Sequence, residues 1–512
     1  MNVTSAQILA NCRSIAPELI LIGTMLVVLL ADMIFFSREQ SWKVGWVALA
    51  GMALSFVALM GTPASSEAIF GGEMVRNNLV LFFQKIFLAG ACAVALFSIT
   101  TRNLRQYRQG EYYALLLAAT LGAMFLASAN DFIMLILSLE TLSLSSYVLA
   151  GYLRNDSESA EASIKYILYG AVASGIMLFG ISYLYGMTGN LQLTSMFQPM
   201  ADGKIPAAFL IAAILVLAGI GFKISAVPFH NWTPDVYEGS PTPVTAFLAV
   251  VSKSAGFAVL IRLLLQTATG ADLATAAQRL VTMRFDVLFW VISIVTMTVG
   301  NLVAIRQTNI KRMLGYSSIA HAGYLLMAFA VLTPAAMDAA LFYFIVYYLM
   351  TLGAFLVAIA LENHLGSSEI SDCRGLWVSS PYLVIAMVIF LVSLTGLPPT
   401  AGFMGKFQLF MAVINAGLGE GVRAPWFYLS LALIGVLNGA ISLYYYFKIA
   451  KAMALESFIK APVLRLRFME FVPLAILAVA VVLFGVYIAP LSHFVHTAFM
   501  SIVEGASLVA GL

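Results

Sequence analysis

Six ionisable residues, Glu140, Lys165, Lys223, Lys253, His321 and Lys406, stand inside apolar runs. Glu140 lies mid-run in LSLETL, Lys223 follows GIGF, and Lys253, His321 and Lys406 follow VVS, SIA and FMG. A charge at the bilayer centre costs about 2.5–3.5 kcal/mol on insertion scales, so such residues are functional by default and need a partner or water. A carboxylate can load and release protons. So can a buried lysine, because burial disfavours the ammonium and a nearby carboxylate restores it. Imidazole does both near neutral pH. The set therefore reads as stepping stones for protons, with a moving Glu–Lys contact as the switch. Plainer readings stand beside this: Glu140 can be a satisfied interhelical hydrogen-bonding group, Lys165, near its helix start, can snorkel to the interface, and His321 can be a packed, hydrogen-bonded core histidine. Asp32, Lys85, Arg262 and Glu362 lie closer to span ends and are expected to snorkel. His230, Asp235 and Glu238 form a polar entrance, and His493 and His496 are interfacial. None of these groups has the spacing of a metal site. Cys12, Cys92 and Cys373 are too scattered for a disulfide framework or a cysteine-bound metal.

Such residues must be positioned by membrane helices. Of 512 residues 62% are hydrophobic and 10% charged, against about 45–50% and about 25% in soluble proteins. The 27 basic and 24 acidic residues cannot coat the domains this length would require, which excludes a soluble enzyme. The formal charge of +3, with no basic run, gives no sign of a nucleic-acid partner. No phosphate-binding or dinucleotide-binding glycine motif opens a helix after a strand. The first apolar window is too long for a signal-peptide core and lacks a cleavage site, so it reads as a retained helix.

The expected fold is an all-α integral membrane protein with about fourteen transmembrane helices of roughly 20 residues each. The windows are 17–36, 42–60, 79–100, 111–128, 131–153, 160–186, 205–227, 244–266, 286–305, 311–332, 335–361, 381–416, 426–453 and 470–488. Basic residues set the orientation. With the N-terminus outside, about fourteen Lys and Arg fall in cytoplasmic loops and about six outside, so both ends face outward. The outer six are Arg13, Arg76, Lys204, Arg279, Arg284 and Arg423; the inner set runs from Arg38 to Lys460, Arg465 and Arg467. Two windows, FKISAVPFH (222–230) and TGLPPTAGFMGK (395–406), carry prolines that interrupt their helices. Unwound backbone at membrane depth is tolerated only when buried or lining a wet cavity. Paired breaks in two halves point to an ion or substrate site. Together with the weak echo between SSY…AGY (145–152) and YSS…AGY (316–324), they suggest two inverted five-helix repeats, each containing a broken helix. The expected division is a three-helix segment (1–110), repeats at 111–267 and 286–455, and a C-terminal helix and tail (456–512).

Glu140, Lys223, Lys253 and Lys406, with both proline breaks, resemble the antiporter-like, proton-translocating membrane subunits of respiratory complex I. The resemblance covers about 79–453 and is most specific at LETLS (139–143), IKY (164–166), FK to WTPDVYEG (222–239) and GLPP to Lys406 (396–406). Within that family the chain is most similar to the N type. Lys406 replaces the glutamate of the M type, and the chain ends soon after its last span, without the lateral helix of the L type. The resemblance implies a non-redox subunit of a proton-pumping translocase, multi-pass in the cell inner membrane, with other membrane and peripheral subunits and the lipid bilayer as partners. It implies no cofactor or metal in this chain; NADH, FMN, iron–sulfur clusters and quinone belong to partner subunits. By position, Glu140 and Lys223 are a coupling pair assisted by Lys165. Lys253 is the central carrier, His321 a connector and Lys406 the carrier toward the outer exit. The rival readings are a subunit of a multisubunit cation/proton antiporter, a subunit of a membrane-bound hydrogenase complex, and a purely structural subunit.

Overall fold

The structure is a computed structural model and describes residues 11–197, 205–265, 273–420, 423–456, 464 and 466–498. Lys204, Lys460 and Arg465, counted above for orientation, and the end of the tail lie outside the described residues. In hydrocarbon every backbone N–H and C=O must be paired within the protein, so apolar runs become helices. Fourteen helices among the described residues are long and apolar enough to cross a membrane. The chain opens with α1 (Ala16–Ile34), α2 (Val44–Met60) and α3 (Asn78–Thr100). Next come α4 (Gly110–Ser128), α5 (Phe132–Ala150) and α6 (Ser157–Thr188). α7 (Ala207–Ile224) stops, a short α8 (Trp232–Gly239) resumes, and α9 (Thr242–Leu264) crosses. A short α10 (Leu273–Thr282) precedes α11 (Phe285–Ala304), α12 (Ile310–Val331) and α13 (Pro334–Leu365). The last four are α14 (Pro381–Thr395), α15 (Ala401–Asn415), α16 (Pro425–Ala454) and α17 (Phe468–Val486).

Side-chain caps start several of these helices: Asn77, Asp131, Asn309 and Thr333 each accept from backbone N–H groups of the first turn. The apolar windows of α9, α12 and α13 are 100%, 94% and 89% buried, whereas those of α1 and α17 are 28% and 22% buried. The helices carrying Lys253 and His321 are therefore the core, and the terminal helices leave most of their apolar surface uncovered. The loops at 101–109, 151–156, 305–309 and 366–369 converge at one end, where Arg102 N donates to Asn363 and Ile310 N to Ser368 O. These loops carry Arg102, Arg105, Arg108, Arg154 and Arg306, so this is called the basic end.

The window 381–416 carries the break expected at its prolines and is two helices, α14 and α15, because Gly396 takes a left-handed φ of 88° and Pro398 and Pro399 have no N–H to continue the ladder. One set of expectations needs correction. Asp32, Arg262 and Glu362 do not snorkel, because each finds a partner inside the bundle. Asp32 is buried and accepts from Ser41 Oγ at 2.5 Å, while buried Arg262 donates to Ala127 O at 2.7 Å and Asn130 Oδ1 at 3.3 Å. Glu362 pairs with Lys311 at 3.2 Å. Lys85 is half-buried, its Nζ lying 5.8 Å from the Phe494 ring centroid. An antiparallel hairpin, Ser65–Ile69 with Met74–Arg76, has no counterpart in the hydropathy reading.

The second break is closed by glycine contacts. A Cβ on Gly402 would lie 1.8 Å from Ser393 O of α14, whereas one on Gly175 would meet nothing within 4 Å. Gly402→Ala is expected to cost about 1–3 kcal/mol, as overpacking does, and Gly175→Ala to cost nothing measurable. Thermal unfolding of the two purified variants checks this; equal midpoints would show that α14 and α15 are not packed as described.

Candidate functional site

Lys223 lies in the last turn of α7, which ends where Ser225 takes a left-handed φ of 61°. Its ammonium is buried and donates to Ser143 Oγ of α5 at 3.0 Å. The backbone of α9 packs directly on it: a Cβ on Gly256 would meet Lys223 Cβ at 3.2 Å. Lys253, one turn earlier on α9, follows a π-helical turn at Leu248–Ser252. Such bulges occur frequently at functional sites. Its Nζ donates to Ser318 O at 3.0 Å and Ser318 Oγ at 2.8 Å on α12.

His321 lies one turn beyond Ser318. Its Nδ1 is 2.6 Å from Tyr343 OH and its Nε2 is 3.2 Å from Tyr446 OH, which also bonds Ser317 Oγ. One turn further, the ring of Tyr324 lies 4.6 Å beneath Lys406 Nζ. Lys406 donates to Leu394 O at 3.0 Å and Thr395 O at 2.8 Å, the carbonyls left free where α14 ends. The order Lys223, Lys253, His321, Lys406 thus follows contiguous contacts from α7 through α9 and α12 to α15. All four side chains are buried.

Glu140 is only partly buried, on α5 one turn before Ser143, and accepts from Ser174 Oγ of α6 at 2.5 Å. Lys223 of α7 therefore reaches α5 one turn from Glu140 without forming an ion pair with it within 4.0 Å. The expectation that Lys165 assists them is not met in the geometry. Lys165 instead contacts Glu161 at 2.6 Å and Asp235 at 2.5 Å, because it lies two helical turns inside α6, level with α8. Asp235 and Glu238 each also receive Arg312 of α12 at 2.6 Å. This network and Lys165 line a cleft of about 250 Å³ at the basic end, which holds Asp235 and Glu238 of the three residues expected at a polar entrance. His230 does not join the network, and its Nδ1 has no hydrogen-bond partner among the described residues. His496 pairs with Asp338 at 2.9 Å and is 61% exposed.

The three axial lysines share one feature. Each is held by hydroxyls or main-chain carbonyls, and none has a carboxylate within 4.0 Å among the described residues. Dipoles alone stabilise an ammonium less than a carboxylate does, so the neutral amine stays within reach. Sequence reasoning missed Ser143, Ser318, Tyr343 and Tyr446. The available signal was hydroxyl residues one turn from a titratable group inside an apolar helix, as at Glu140/Ser143 and Ser318/His321.

A family described as NADH:quinone oxidoreductase/Mrp antiporter, transmembrane, matches residues 129–428, a stretch that contains every residue of the axis. The chain belongs to this family. Among curated relatives, NADH-quinone oxidoreductase subunit N of Anaeromyxobacter sp. is 42% identical over 93% of this chain and 94% of its own. NAD(P)H-quinone oxidoreductase subunit 2 of Thermosynechococcus vestitus is 42% identical over 87% of this chain and 82% of its own. Among solved structures, a chain of respiratory complex I from Thermus thermophilus with bound aureothin superposes with a TM-score of 0.74 at 29% identity, covering 93% of this chain and 98% of that one. The chain is thus an antiporter-like membrane subunit, most like subunit N.

The His321–Tyr343 bond supplies a test of the site's packing. Tyr343→Phe leaves buried Nδ1 unpaired and is expected to cost about 1–3 kcal/mol. Adding His321→Leu should recover part of that loss, a coupling visible in a double-mutant cycle of unfolding midpoints. Strict additivity would mean that the bond is absent.

Proposed function

We propose that Glu140, Lys223, Lys253, His321 and Lys406 form the proton path of this chain, which is a proton-translocating membrane subunit of NADH:quinone oxidoreductase. Electron transfer from NADH to quinone takes place in partner subunits, which hold the FMN and iron–sulfur clusters; this chain contributes no redox step. Its neighbours are the other membrane and peripheral subunits of the complex, and its place is the bacterial inner membrane. The observation that carries the reading is the solvation of Lys223, Lys253 and Lys406 by neutral oxygens alone. An amine so held can be charged in one state and neutral in the next.

Glu140 is the switch. Its carboxylate rests on Ser174, and Lys223 rests on Ser143 one helical turn away. A shift of either side chain would bring the two charges together and favour the ammonium at Lys223; separation frees Lys223 to give up its proton and changes the field at Lys253, which sets whether Lys253 holds or passes its own. Lys253 passes a proton by way of Ser318 to the His321–Tyr343–Tyr446 group, and Lys406 receives it beneath the carbonyl end of α14. The paired breaks, after α7 and between α14 and α15, support two repeats related by inversion, at 111–267 and 286–455. Lys165 is assigned to the Asp235–Arg312 cluster, which holds α8 against α12. The same family includes Mrp antiporters. The quinone-reductase reading is preferred because a relative 42% identical over 93% of this chain bears the subunit N name.

Sealed membrane vesicles containing the assembled complex supply the test. Lys223→Met and Lys406→Met are each expected to lower the protons translocated per NADH oxidised, with the amount of complex unchanged on native gels. Full stoichiometry in both variants would refute the path, and sodium counter-transport without a dehydrogenase partner would favour the antiporter.

A further inference from the structure

At the basic end, a cavity of about 320 Å³ is lined by Asp156, Glu158, Glu238, Glu369, Lys311 and Glu362, among others. Glu362, near the end of core helix α13, has a side chain 16% exposed, and its partner Lys311 is 8% exposed. Both carboxylate oxygens are engaged. Oε1 accepts from Ser368 Oγ at 2.6 Å and faces Lys311 Nζ at 3.2 Å, and Oε2 accepts from Thr242 Oγ1. Lys311 also donates to Ser240 O at 2.9 Å, just ahead of α9. The pair therefore sits where the polar cavity meets the first residues of the helix that carries Lys253.

The inward side of this pair is polar as well. Lys311 and Ser318, the residue that holds Lys253, lie on α12 about two turns apart, roughly 10 Å. Tyr237 OH, on α8, is 3.5 Å from Ser318 Oγ, and Tyr237 O accepts from Thr245 Oγ1 of α9. Polar groups are thus spaced between the cavity and the central lysine: Thr242 Oγ1 meets Glu362, Thr245 Oγ1 one turn on meets the Tyr237 carbonyl, and the Tyr237 hydroxyl meets Ser318, while the Phe355 ring packs on the apolar side of Tyr237.

We propose that Glu362 loads protons onto Lys253 from the basic end, with Lys311 as its gate. This inference rests on the proton path proposed above. A proton from cavity water forms an O–H bond on Glu362 and weakens the hold of Lys311, which keeps its charge and its contact with Ser240 O. The proton then leaves inward: each hydroxyl of Tyr237 and Ser318 takes up one proton and gives up its own, and an N–H bond forms on neutral Lys253. Glu362 returns to a carboxylate and Lys311 closes on it again. No electron moves and no group is consumed. The closed pair prevents protons from running back to the cavity between transfers.

The test measures protons per NADH in sealed vesicles for Glu362→Gln, Glu362→Asp and Lys253→Met, each normalised to assembled complex. Glu362→Gln is expected to lose this subunit's share of translocation as Lys253→Met does, and Glu362→Asp to keep it. If Glu362→Gln fails to assemble because Lys311 is left buried and unpaired, the Lys311→Met/Glu362→Gln double variant removes both charges and is expected to assemble without translocating. Full translocation by an assembled variant lacking Glu362, with Lys253→Met inactive, overturns the loading role and leaves the path intact. Full translocation in Lys253→Met as well overturns both.

Discussion

An ammonium ion persists in hydrocarbon only where protein oxygens replace its water, and the interior of this chain supplies that replacement three times. At Lys223 the oxygen is the Ser143 hydroxyl, at Lys253 it is both oxygens of Ser318, and at Lys406 it is the pair of carbonyls ending α14. Neutral dipoles hold a charge without fixing it. The contrast lies within the same chain: Lys165 and Lys311, toward the basic end, face carboxylates at 2.5–3.2 Å. Lysines paired with carboxylates keep their protons and organise structure. Lysines held by hydroxyls and carbonyls can give them up.

The helix breaks are part of that solvation. A helix that stops inside the bundle leaves C-terminal carbonyls unpaired, and the negative end of its dipole favours a cation. Lys223 occupies the last turn of α7, and Lys406 reaches across to the last carbonyls of α14. The left-handed residues Ser225 and Gly396 end these helices at the depth of the lysines. Between them, α9 reaches Lys253 through a π-helical turn, and α12 carries Ser318, His321 and Tyr324 one turn apart. One helix thus touches the environments of Lys253 and Lys406, so a displacement of α12 would be felt at both. Arg312, at the start of α12, ties that helix to α8 through Asp235 and Glu238.

Much of this was legible in the sequence because the bilayer is an unforgiving solvent. Hydropathy located the spans to within a few residues, and the cost of a charge in hydrocarbon singled out Glu140, Lys223, Lys253 and Lys406. What stayed hidden depends on partners far apart in the chain. Arg262 finds Ala127 O, Lys165 finds Asp235, and Glu362 finds Thr242; none of these pairs shares a helix. Position near a span end suggested snorkelling for Asp32, Arg262 and Glu362, but buried partners outweighed the pull of the interface. Hydropathy alone averages over the break in the 381–416 window; Gly396 and the two prolines carried the information that it divides.

The central claim is that Lys253 must lose and regain a proton, beyond merely bearing a charge. Lys253→Arg tests it most directly, because arginine retains the positive charge and the donors to Ser318 but cannot be deprotonated in proteins. Assembled complex carrying Lys253→Arg, measured for protons translocated per NADH in sealed vesicles, is expected to lose this subunit's contribution. Full stoichiometry would contradict the account and leave Lys253 with a static electrostatic role.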